Sequence, residues 1–506
     1  MKILVVGGGG REHAIALSLE GSVHGPKISC LSDVTNPGIN AVVKRSGGVY
    51  FNGDVNSPDC VSETARRCGA DMVFVGPEEP NFHGVPDRMD KDGIGCIGAR
   101  RNVAELEMSK ASMRDLQWKY KIPGRLWYKK FKSYDEAVPY IEEFADSIAI
   151  KPARQAGGKG VKVIEDFQVY LQEDKRRVKR EHAESIISEY MKGYEDVDYK
   201  ILIEERVWGP EYTVHCFTDG KTVLPMPAVQ DNKHAFEGDL GLETGGMGSI
   251  SCGMNLRLGT DADEDQAILT QSEYQGSVDI VKSMIDSIQK ETGDRYRGVV
   301  AGQMMLTPVW GPTVIEMYSR LGDPEAANVL SALKTDLVDI CEAIMGGRLN
   351  TVKAEFDDQA VVVKAVCPEG YPNRRDLAAG HPISVDVANS PSGKSQDGIL
   401  WASADCAAKG AGCGSVVTGG SRAVECVGRG KDIPEASRNA EALVGNVRLE
   451  DGWKLFHRSD IGSERSMERR IALARTAREI YQYRERKGLL GKRMLWIPGK
   501  GFVEVG

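Results

Sequence analysis

Two lysines flank a glycine-rich segment and could neutralise a polyphosphate. Lys151 lies in the strand-like run 148–153, and Lys159 lies within the segment 155–160, Q-A-G-G-K-G. Because a second strand-like run follows at 161–164, we predict a hairpin lid whose backbone N–H groups can close over phosphates. Ammonium groups bind phosphate oxygens better than neutral side chains do. An ordinary mobile hairpin remains an equally good interpretation of this segment taken alone.

Carboxylates follow at the end of a later strand-like run, I-L-I-E-E (201–205). Backbone groups after such a strand can meet an adenine edge, while Glu211, beyond a Gly-Pro turn, can accept hydrogen bonds from ribose hydroxyls. A P-loop is excluded for the glycine-rich segment, because G-G-K-G lacks the Ser or Thr of that motif and precedes a strand instead of a helix. The sequence therefore predicts a nucleotide site on another scaffold.

A second chemical group lies in two runs that predict a hairpin, 301–306 and 313–318. Alternation along a strand places Glu316 on the same face as Tyr318 and Arg320, and Gln303 can meet Glu316 from the partner strand. Oxygen ligands on paired strands suit a hard cation such as Mg²⁺. Arg320 could bind a substrate carboxylate with its fork of donors. A surface carboxylate on an edge strand is the alternative for Glu316.

The elements that position these groups begin with an α/β module. Strand-like runs alternate with helical patterns over the first hundred residues, at 2–6, 27–31, 71–75 and 93–97. This alternation predicts a doubly wound domain. Its first turn, G-G-G-G (7–10), does not fit the dinucleotide fingerprint, since the last position is Glu12 or His13. A glycine turn at a helix N-terminus beside Arg11 suits one phosphate monoester, and a turn without a ligand is the alternative.

The rest of the chain gives fewer signals. A helical stretch from 102 to about 120 carries Lys110, and the glycines of T-G-G-M-G (244–248) suggest backbone held close to a ligand. Strand-like runs at 361–366 and 422–427 predict a closing domain with little chemistry of its own. Past residue 462 the Arg/Glu-rich sequence predicts a helix packed on the protein surface.

Composition limits the function classes. The 506 residues are 41% hydrophobic and 27% charged, and no apolar run approaches the length of a membrane span. The net charge of −8 gives no general attraction to nucleic acid. The N-terminus enters a strand-like run directly, without a signal-peptide h-region, and the 11 cysteines contain no C-x-x-C pair. We expect a cytoplasmic monomer with thiols in place of zinc sites or a disulfide framework, acting on small molecules.

Several motifs together resemble one family. They are G-G-R-E-H (9–13), V-G-P-E (75–78), S-K (109–110), K-P-A-x-x-x-G-G-K-G-V (151–161), I-E-E-x-x-x-G-x-E (203–211), L-P-M-x-x-x-Q-D (224–231), T-G-G-M-G (244–248) and I-E-x-x-x-R-x-G-D-P-E (315–325). From Met1 to about Ile461 the chain is similar to the phosphoribosylamine–glycine ligase family of ATP-grasp enzymes. The last motif with T-G-G-M-G is specific, whereas any single glycine motif is weak.

The resemblance implies ligation of glycine to 5-phosphoribosylamine, an early step of purine synthesis, with ATP hydrolysed to ADP and phosphate. It implies an α/β fold with α+β parts. We divide the chain into an N-terminal α/β domain (1–103), an ATP-grasp domain (104–333, lid about 124–198), a C-terminal α/β domain (334–462) and a helical tail (463–506).

The resemblance also implies roles for individual residues. ATP would be bound by Lys110, Lys151, Gly157, Gly158, Lys159, Gly160, Glu204, Glu205, Val207 and Glu211. Mg²⁺ or Mn²⁺ would be held by Gln303 and Glu316. The glycine and phosphoribosylamine site would include Gly9, Gly10, Arg11, Asp231, Arg320, Gly322 and Asp323. Among all of these, the catalytic residues would be Arg320, Asp231 and Lys159.

The sequence departs from the family pattern at several positions. Tyr318 stands where the family has an asparagine metal ligand, Asn232 where histidine is usual, and Leu242 where proline is usual. Two other functions therefore stay open. One is a degenerate nucleotide-binding protein with a regulatory or structural role. The other is a related ligase or carboxylase for another acid, although no A-M-K-M biotin-attachment motif occurs.

Overall fold

The computed structural model describes residues 1–144, 148–154, 175–191, 198–386, 398–407, 414–492, 494–497, 499 and 501–504. The chain forms two compact units, each assembled from separate segments. The first unit comprises Met1–Ala104, Glu211–Gln303 and Tyr318–Ala472. The second comprises Glu105–Pro210, Met304–Met317 and Leu473–Gly506. The predicted lid segment, with Gly157, Gly158, Lys159 and Gly160, lies outside the described residues.

The N-terminal part is a parallel five-stranded sheet in the order β3-β2-β1-β4-β5. Its strands are β1 (Lys2–Val6), β2 (Lys27–Ser32), β3 (Tyr50–Asn52), β4 (Met72–Val75) and β5 (Gly95–Ile97). The helices are α1 (Gly10–Glu20), α2 (Pro37–Arg45), α3 (Pro58–Cys68), α4 (Glu79–Phe82), α5 (Val85–Asp92) and α6 (Arg101–Met108). The apolar runs become central strands buried on both faces. The doubly wound domain is confirmed, with the short strand β3 in addition.

The helix predicted from residue 102 to about 120 is divided at Ser109. Helix α6 ends at Met108, and Ser109 caps α7 (Lys110–Lys119) by accepting the N–H of Ser112 at 3.1 Å. A three-stranded antiparallel sheet follows, with β6 (Tyr128–Phe131), β8 (Ile201–Glu205) and β7 (Ile148–Pro152) in that spatial order. Helices α8 (Tyr134–Phe144) and α9 (Lys175–Ser185) pack on its apolar face.

Eight strands lie between residues 211 and 318. They are β9 (Glu211–Thr218), β10 (Val223–Pro225), β11 (Gln230–Asp231), β12 (His234–Phe236), β13 (Leu240–Glu243), β14 (Gly248–Cys252), β15 (Gly298–Thr307) and β16 (Gly311–Tyr318). One sheet has the order β10-β9-β15-β16, so the predicted hairpin of β15 and β16 is confirmed. Helices α10 (Gln271–Thr292) and α11 (Glu325–Ala332) complete this region.

The described part of the C-terminal segment contributes eight strands, some of which share a sheet with earlier strands of the same unit. They are β17 (Ala360–Pro368), β18 (Ala379–Val385), β19 (Ile399–Trp401), β20 (Ala404–Cys406), β21 (Val416–Gly419), β22 (Val424–Gly430), β23 (Val447–Leu449) and β24 (Leu455–Phe456). The sheet order β11-β14-β17-β22-β19 joins the strand of Asp231 to the C-terminal segment, and the smaller sheet is β20-β21-β18-β23. The helices are α12 (Leu337–Met345), α13 (Arg375–Ala378) and α14 (Ile433–Val444).

The tail is helical only in its first half. Helix α15 (Glu464–Arg486) is followed by an antiparallel hairpin of β25 (Met494–Ile497) and β26 (Gly501–Glu504), so the expectation of an entirely helical tail is wrong. No helix within the described part of the chain is long and apolar enough to cross a bilayer. Within the described ranges nine cysteines are free thiols, but Cys406 is disulfide-bonded, which corrects the expectation of thiols alone.

Candidate active site

Lys151 and Glu204 form a buried ion pair on neighbouring strands of the second unit. Lys151 Nζ on β7 lies 2.9 Å from Glu204 Oε2 on β8. Arg114 on α7 donates its Nε–H to Glu204 Oε1 at 2.6 Å, and its side chain is 0% exposed. Burial would raise the pKa of Glu204, but Arg114 and Lys151 outweigh burial and lower it to about 2. Glu204 is therefore a permanent anion that fixes Lys151.

Lys110 and Glu316 form a second pair in the same unit. Lys110 begins α7, directly after the cap at Ser109, and its Nζ lies 3.4 Å from Glu316 Oε1. Both side chains are largely buried, at 6% and 15% exposure. Glu205 Oε1 accepts the backbone N–H of Trp127 at 2.9 Å, and Val207 is half-buried beyond the end of β8. Two predicted lysines of the nucleotide site are thus each held by a carboxylate.

Glu211 and Gln303 are joined in the first unit. Glu211 Oε2 accepts Gln303 Nε2–H and Lys233 Nζ–H, both at 2.9 Å. The hydroxyl of Tyr318 donates to Gln303 Oε1. Both ends of the Gln303 amide are therefore engaged by side chains, which fixes its orientation. At the position where the family has an asparagine, the Tyr318 side chain contacts Gln303, the predicted metal ligand.

Arg320 and Arg11 share one carboxylate, Glu78. Arg320 Nε donates to Glu78 Oε2 at 3.1 Å, and Arg11 Nη1 lies 3.8 Å from the same oxygen. Both guanidinium groups also donate to the carbonyl of Leu321 at 3.2 Å. The Arg320 guanidinium lies 4.5 Å from the ring centroid of Tyr318. Although burial opposes it, Arg320 and Arg11 lower the pKa of Glu78, so this anion orders both arginines.

The N-terminus of α1 is capped by the protein itself. The N–H of Gly9 donates to Glu12 Oε2 at 2.7 Å, and Arg11 Nε donates to Glu12 Oε1 at 2.6 Å. A Cβ placed on Gly10 would lie 2.7 Å from Glu425 Oε2, so glycine is required there by close approach of a carboxyl group. A phosphate at Gly9, Gly10 and Arg11 remains a prediction.

Asp231 and Asp323 lie among buried charges. Arg422 donates to Asp323 Oδ2 at 3.0 Å and to the Asp323 carbonyl at 2.8 Å. Asp231 Oδ1 receives no hydrogen bond from any described residue. A Cβ on Gly246 would lie 2.6 Å from this oxygen, which explains a glycine of T-G-G-M-G. Burial and the charge of Glu325 raise the pKa of Asp231 well above its usual value.

The backbone of Gly322 forms a hydrogen bond with a histidine side chain. Its N–H donates to His215 Nε2 at 3.0 Å. Burial, together with Arg320, lowers the pKa of His215 to about 3, so the ring stays neutral and can accept this hydrogen bond. The first unit thus joins Arg11 and Arg320 through Glu78 and the Leu321 carbonyl, directly before Gly322 and Asp323 in the chain.

Sequence reasoning missed Arg114, Glu78, Arg422 and Glu425. The run R-A-V-E-C-V (422–427) was assigned to a closing domain with little chemistry, and the contacts of Arg422 and Glu425 correct that expectation. A signal was present, because a glutamate inside an apolar strand is rarely buried without a partner or a role. Arg114 gave no signal, since its partner Glu204 lies 90 positions away in the chain.

Three family models match consecutive parts of the chain. The phosphoribosylglycinamide synthetase N domain matches residues 1–107, the ATP-grasp (A) domain matches 108–326, and the C domain matches 361–464.

Curated relatives match over nearly the whole chain. A protein named phosphoribosylamine–glycine ligase from Methanobrevibacter smithii is 38% identical over 471 residues, 93% of this chain and 98% of that protein. One of the same name from Pyrococcus horikoshii is 37% identical over 473 residues, 94% and 97% of the two chains.

Solved structures share the fold. The crystal structure of phosphoribosylamine–glycine ligase from Thermotoga maritima has a TM-score of 0.69 at 24% identity and covers 91% of this chain and 100% of that one. A biotin carboxylase from Campylobacter jejuni has a TM-score of 0.63 at 13% identity and covers 92% and 95%.

A parallel N-terminal domain precedes a segment that matches the ATP-grasp (A) domain model over residues 108–326, so the chain is an ATP-grasp protein. The matches go further, because three family models cover most of the sequence and relatives exceed one-third identity. The chain belongs to the phosphoribosylglycinamide synthetase family. The resemblance, the α/β fold class and the assignment to an ATP-dependent ligase are confirmed.

Proposed function

We propose that this chain joins glycine to 5-phosphoribosylamine while ATP is cleaved to ADP and phosphate. The observation that carries this proposal is the match to relatives of that name over 93% of the chain. The buried charges support it, because ligation needs cations for phosphate oxygens and a separate group for an amino acid. We further infer that the protein is a cytoplasmic monomer, and the family of its relatives supports small-molecule substrates.

The chemistry follows in two steps. The glycine carboxylate attacks the γ-phosphorus of ATP, ADP leaves, and glycyl phosphate forms. The amine of phosphoribosylamine then attacks the acyl carbon, the C–N bond forms, phosphate leaves and the amine gives up a proton. Lys110 and Lys151, fixed by Glu316 and Glu204, would neutralise the phosphate oxygens. Arg320 would bind the glycine carboxylate, and Lys159 would reach the γ-phosphate.

A divalent cation, Mg²⁺ or Mn²⁺, fits the oxygen donors that are present. Among the described residues, Gln303 Oε1 accepts a hydrogen bond from Tyr318, and a carbonyl oxygen has a second lone pair that can bind a cation. Glu316 is a carboxylate beside a lysine. We infer that these two residues hold the cation, which when bound neutralises charge on the ATP phosphates. Glu211 would accept hydrogen bonds from the ribose.

The test is ADP release by the purified protein with ATP, glycine and phosphoribosylamine, each omitted in turn. We expect ADP release only when all three are present. Glu316→Ala should abolish the reaction, whereas Glu63→Ala, an exposed carboxylate on α3, should not change it. ADP release that does not depend on glycine, or that follows another acid better, would contradict the proposal.

A further inference from the structure

Glu425 is a buried carboxyl group that the reaction scheme does not use. It lies on β22, its side chain is 0% exposed, and neither oxygen receives a hydrogen bond from the described residues. Its Oε2 packs against the N-terminus of α1, as the 2.7 Å approach to a Cβ on Gly10 shows. Burying an ionised carboxylate without a hydrogen-bond donor costs free energy. We therefore expect Glu425 to hold a proton, which it can donate to a neighbouring acceptor.

That neighbour is Asp323. The two carboxyl groups are close enough to hydrogen-bond when one of them holds a proton. Burial and the Asp323 charge raise the pKa of Glu425 well above its usual value. Burial opposes ionisation of Asp323, but the charge of Arg422, the hydrogen bond with Glu425 and the charges of Arg11 and Arg320 together outweigh burial and lower that pKa. Because Asp323 is the more easily ionised of the two carboxyl groups, Asp323 carries the negative charge and Glu425 holds the proton.

The side chains of Asp323 and Glu425 differ in their exposure to solvent. The Asp323 side chain is 23% exposed, whereas Glu425 is enclosed, so only Asp323 can touch a ligand. Arg422 fixes Asp323 Oδ2 at 3.0 Å, whereas Oδ1 is buried and has no hydrogen-bond partner among the described residues. A Cβ on Gly9 would lie 3.9 Å from Asp323 Oδ2, which places Asp323 beside the turn predicted to bind the sugar phosphate.

We propose that Glu425 is a positioning residue, a neutral acid that donates a hydrogen bond to Asp323 and holds that carboxylate toward the amine of phosphoribosylamine. The inference rests on the proposed function. It brings the segment at the start of β22 into the proposed site, because Arg422, just before the strand, binds one oxygen of Asp323 and Glu425, on the strand, would bind the other. The arrangement resembles other second carboxyl groups that orient a reacting side chain without meeting the substrate.

Two substitutions separate positioning from proton transfer. Glu425→Gln keeps a donor for Asp323 but cannot accept a proton, so it should retain kcat/KM for phosphoribosylamine within about twofold. Glu425→Leu removes the donor and should lower the same quantity by about tenfold or more, the effect of one hydrogen bond to a charged group. The KM for glycine should stay unchanged in both variants.

Asp219→Asn is the matched control. Asp219 is a carboxylate of the same unit, 1% exposed, which accepts backbone N–H groups of Lys221 and Thr222 at 2.9 and 2.7 Å. Its substitution should lower the melting temperature without a selective change in either substrate. Thermal unfolding of the Glu425 variants corrects for any loss of folded protein.

The outcomes decide the assignment. A Gln variant as impaired as the Leu variant would identify a proton acceptor and overturn positioning. Equal shifts for glycine and phosphoribosylamine, or no shift in the Leu variant, would overturn it as well. The infrared spectrum of the unmodified protein minus that of Glu425→Gln should show the C=O band of a protonated carboxylic acid. This readout needs no turnover, so absence of the band overturns the neutral acid even if the protein catalyses another reaction.

Discussion

The buried carboxylate of Glu204 fixes Lys151, which is predicted to bind the nucleotide. It accepts Arg114 on one oxygen and pairs with Lys151 on the other, and its side chain is 1% exposed. Removal of one member of such a buried pair leaves the remaining charges without compensation. The position of Lys151 therefore depends on a residue buried behind it.

Glu204→Gln should destabilise the protein by about 3 kcal/mol at pH 7, because it leaves Arg114 and Lys151 buried without a counter-charge. The lowered pKa sets a pH window. Ionised Glu204 stabilises the fold fully above its unfolded pKa of about 4.5, and this contribution is lost as the pH falls toward about 2. Urea unfolding at several pH values should show the difference between the two proteins shrinking across that window. A difference that does not change with pH would contradict the assignment.

Tyr318 gives a second prediction at a single position. Tyr318→Asn supplies an amide oxygen near Gln303 and should lower the Mg²⁺ concentration for half-maximal activity by about threefold or more. Tyr318→Phe keeps the ring beneath Arg320 but loses the hydroxyl bond to Gln303, and so separates the two contacts. Metal titration of glycine-dependent ADP release is the measurement. Turnover that appears only in Tyr318→Asn would leave the degenerate binding protein as the better hypothesis.

Part of this chemistry was predictable from the sequence because it lies in short motifs. Asp323 and Arg320 stand within one motif, and Glu316 precedes Arg320 by four positions. Glu425 and Arg114 were not predictable, since their contacts with Asp323 and Glu204 join segments far apart in the chain. The spacing of residues in the sequence shows which residues are near one another along the chain. Which side chains are buried and which form pairs depends on how the sheets bring distant strands together.

At the scale of elements, the tail packs on the turn between β15 and β16. Within the second unit, a Cβ on Gly491 would lie 2.0 Å from the Trp310 ring, and the Tyr481 ring lies against Gly311. The sequence indicated a helix from its charge pattern, but the P-G-K-G run at 498–501 is a turn signal that favours the observed hairpin. The long apolar strands were predicted better than β3, which has only three residues.

Gly491→Ala tests this packing. The added methyl group would collide with Trp310, and we expect a loss of about 2 kcal/mol in unfolding free energy. Gly488→Ala is the matched control, because it has a similar φ of +66° but no atom within 4 Å of its Cβ position. It should lose only about 1 kcal/mol, from backbone strain alone. Urea unfolding measures both. Equal losses in the two variants would show that the tail is not packed on Trp310 in solution.

At the scale of the whole molecule, the predicted site residues fall into two groups that follow the two units. Lys110, Lys151, Glu204 and Glu316 belong to the second unit, together with Glu205 and Val207. The residues predicted for glycine and phosphoribosylamine all belong to the first unit, as do Glu211 and Gln303. Each unit carries its own network of buried charges. We therefore expect substitution of Lys151 in the second unit to act on ATP and substitution of Arg320 in the first unit to act on glycine, although Glu211 and Gln303 of the first unit are predicted for ATP and the cation.

Lys151→Ala and Arg320→Lys test this division. Lys151→Ala removes a cation from the nucleotide group and should raise the dissociation constant for ATP by about tenfold, with the KM for glycine changed less than about twofold. Arg320→Lys keeps the charge but loses the fork that matches a carboxylate, and should raise the KM for glycine by about tenfold while ATP binding stays the same. Calorimetry and steady-state kinetics measure the two quantities, with Lys282→Ala, an exposed lysine on α10, as the control. If either variant shifts ATP and glycine equally, that residue serves the fold or both substrates, and its assignment to one substrate is wrong.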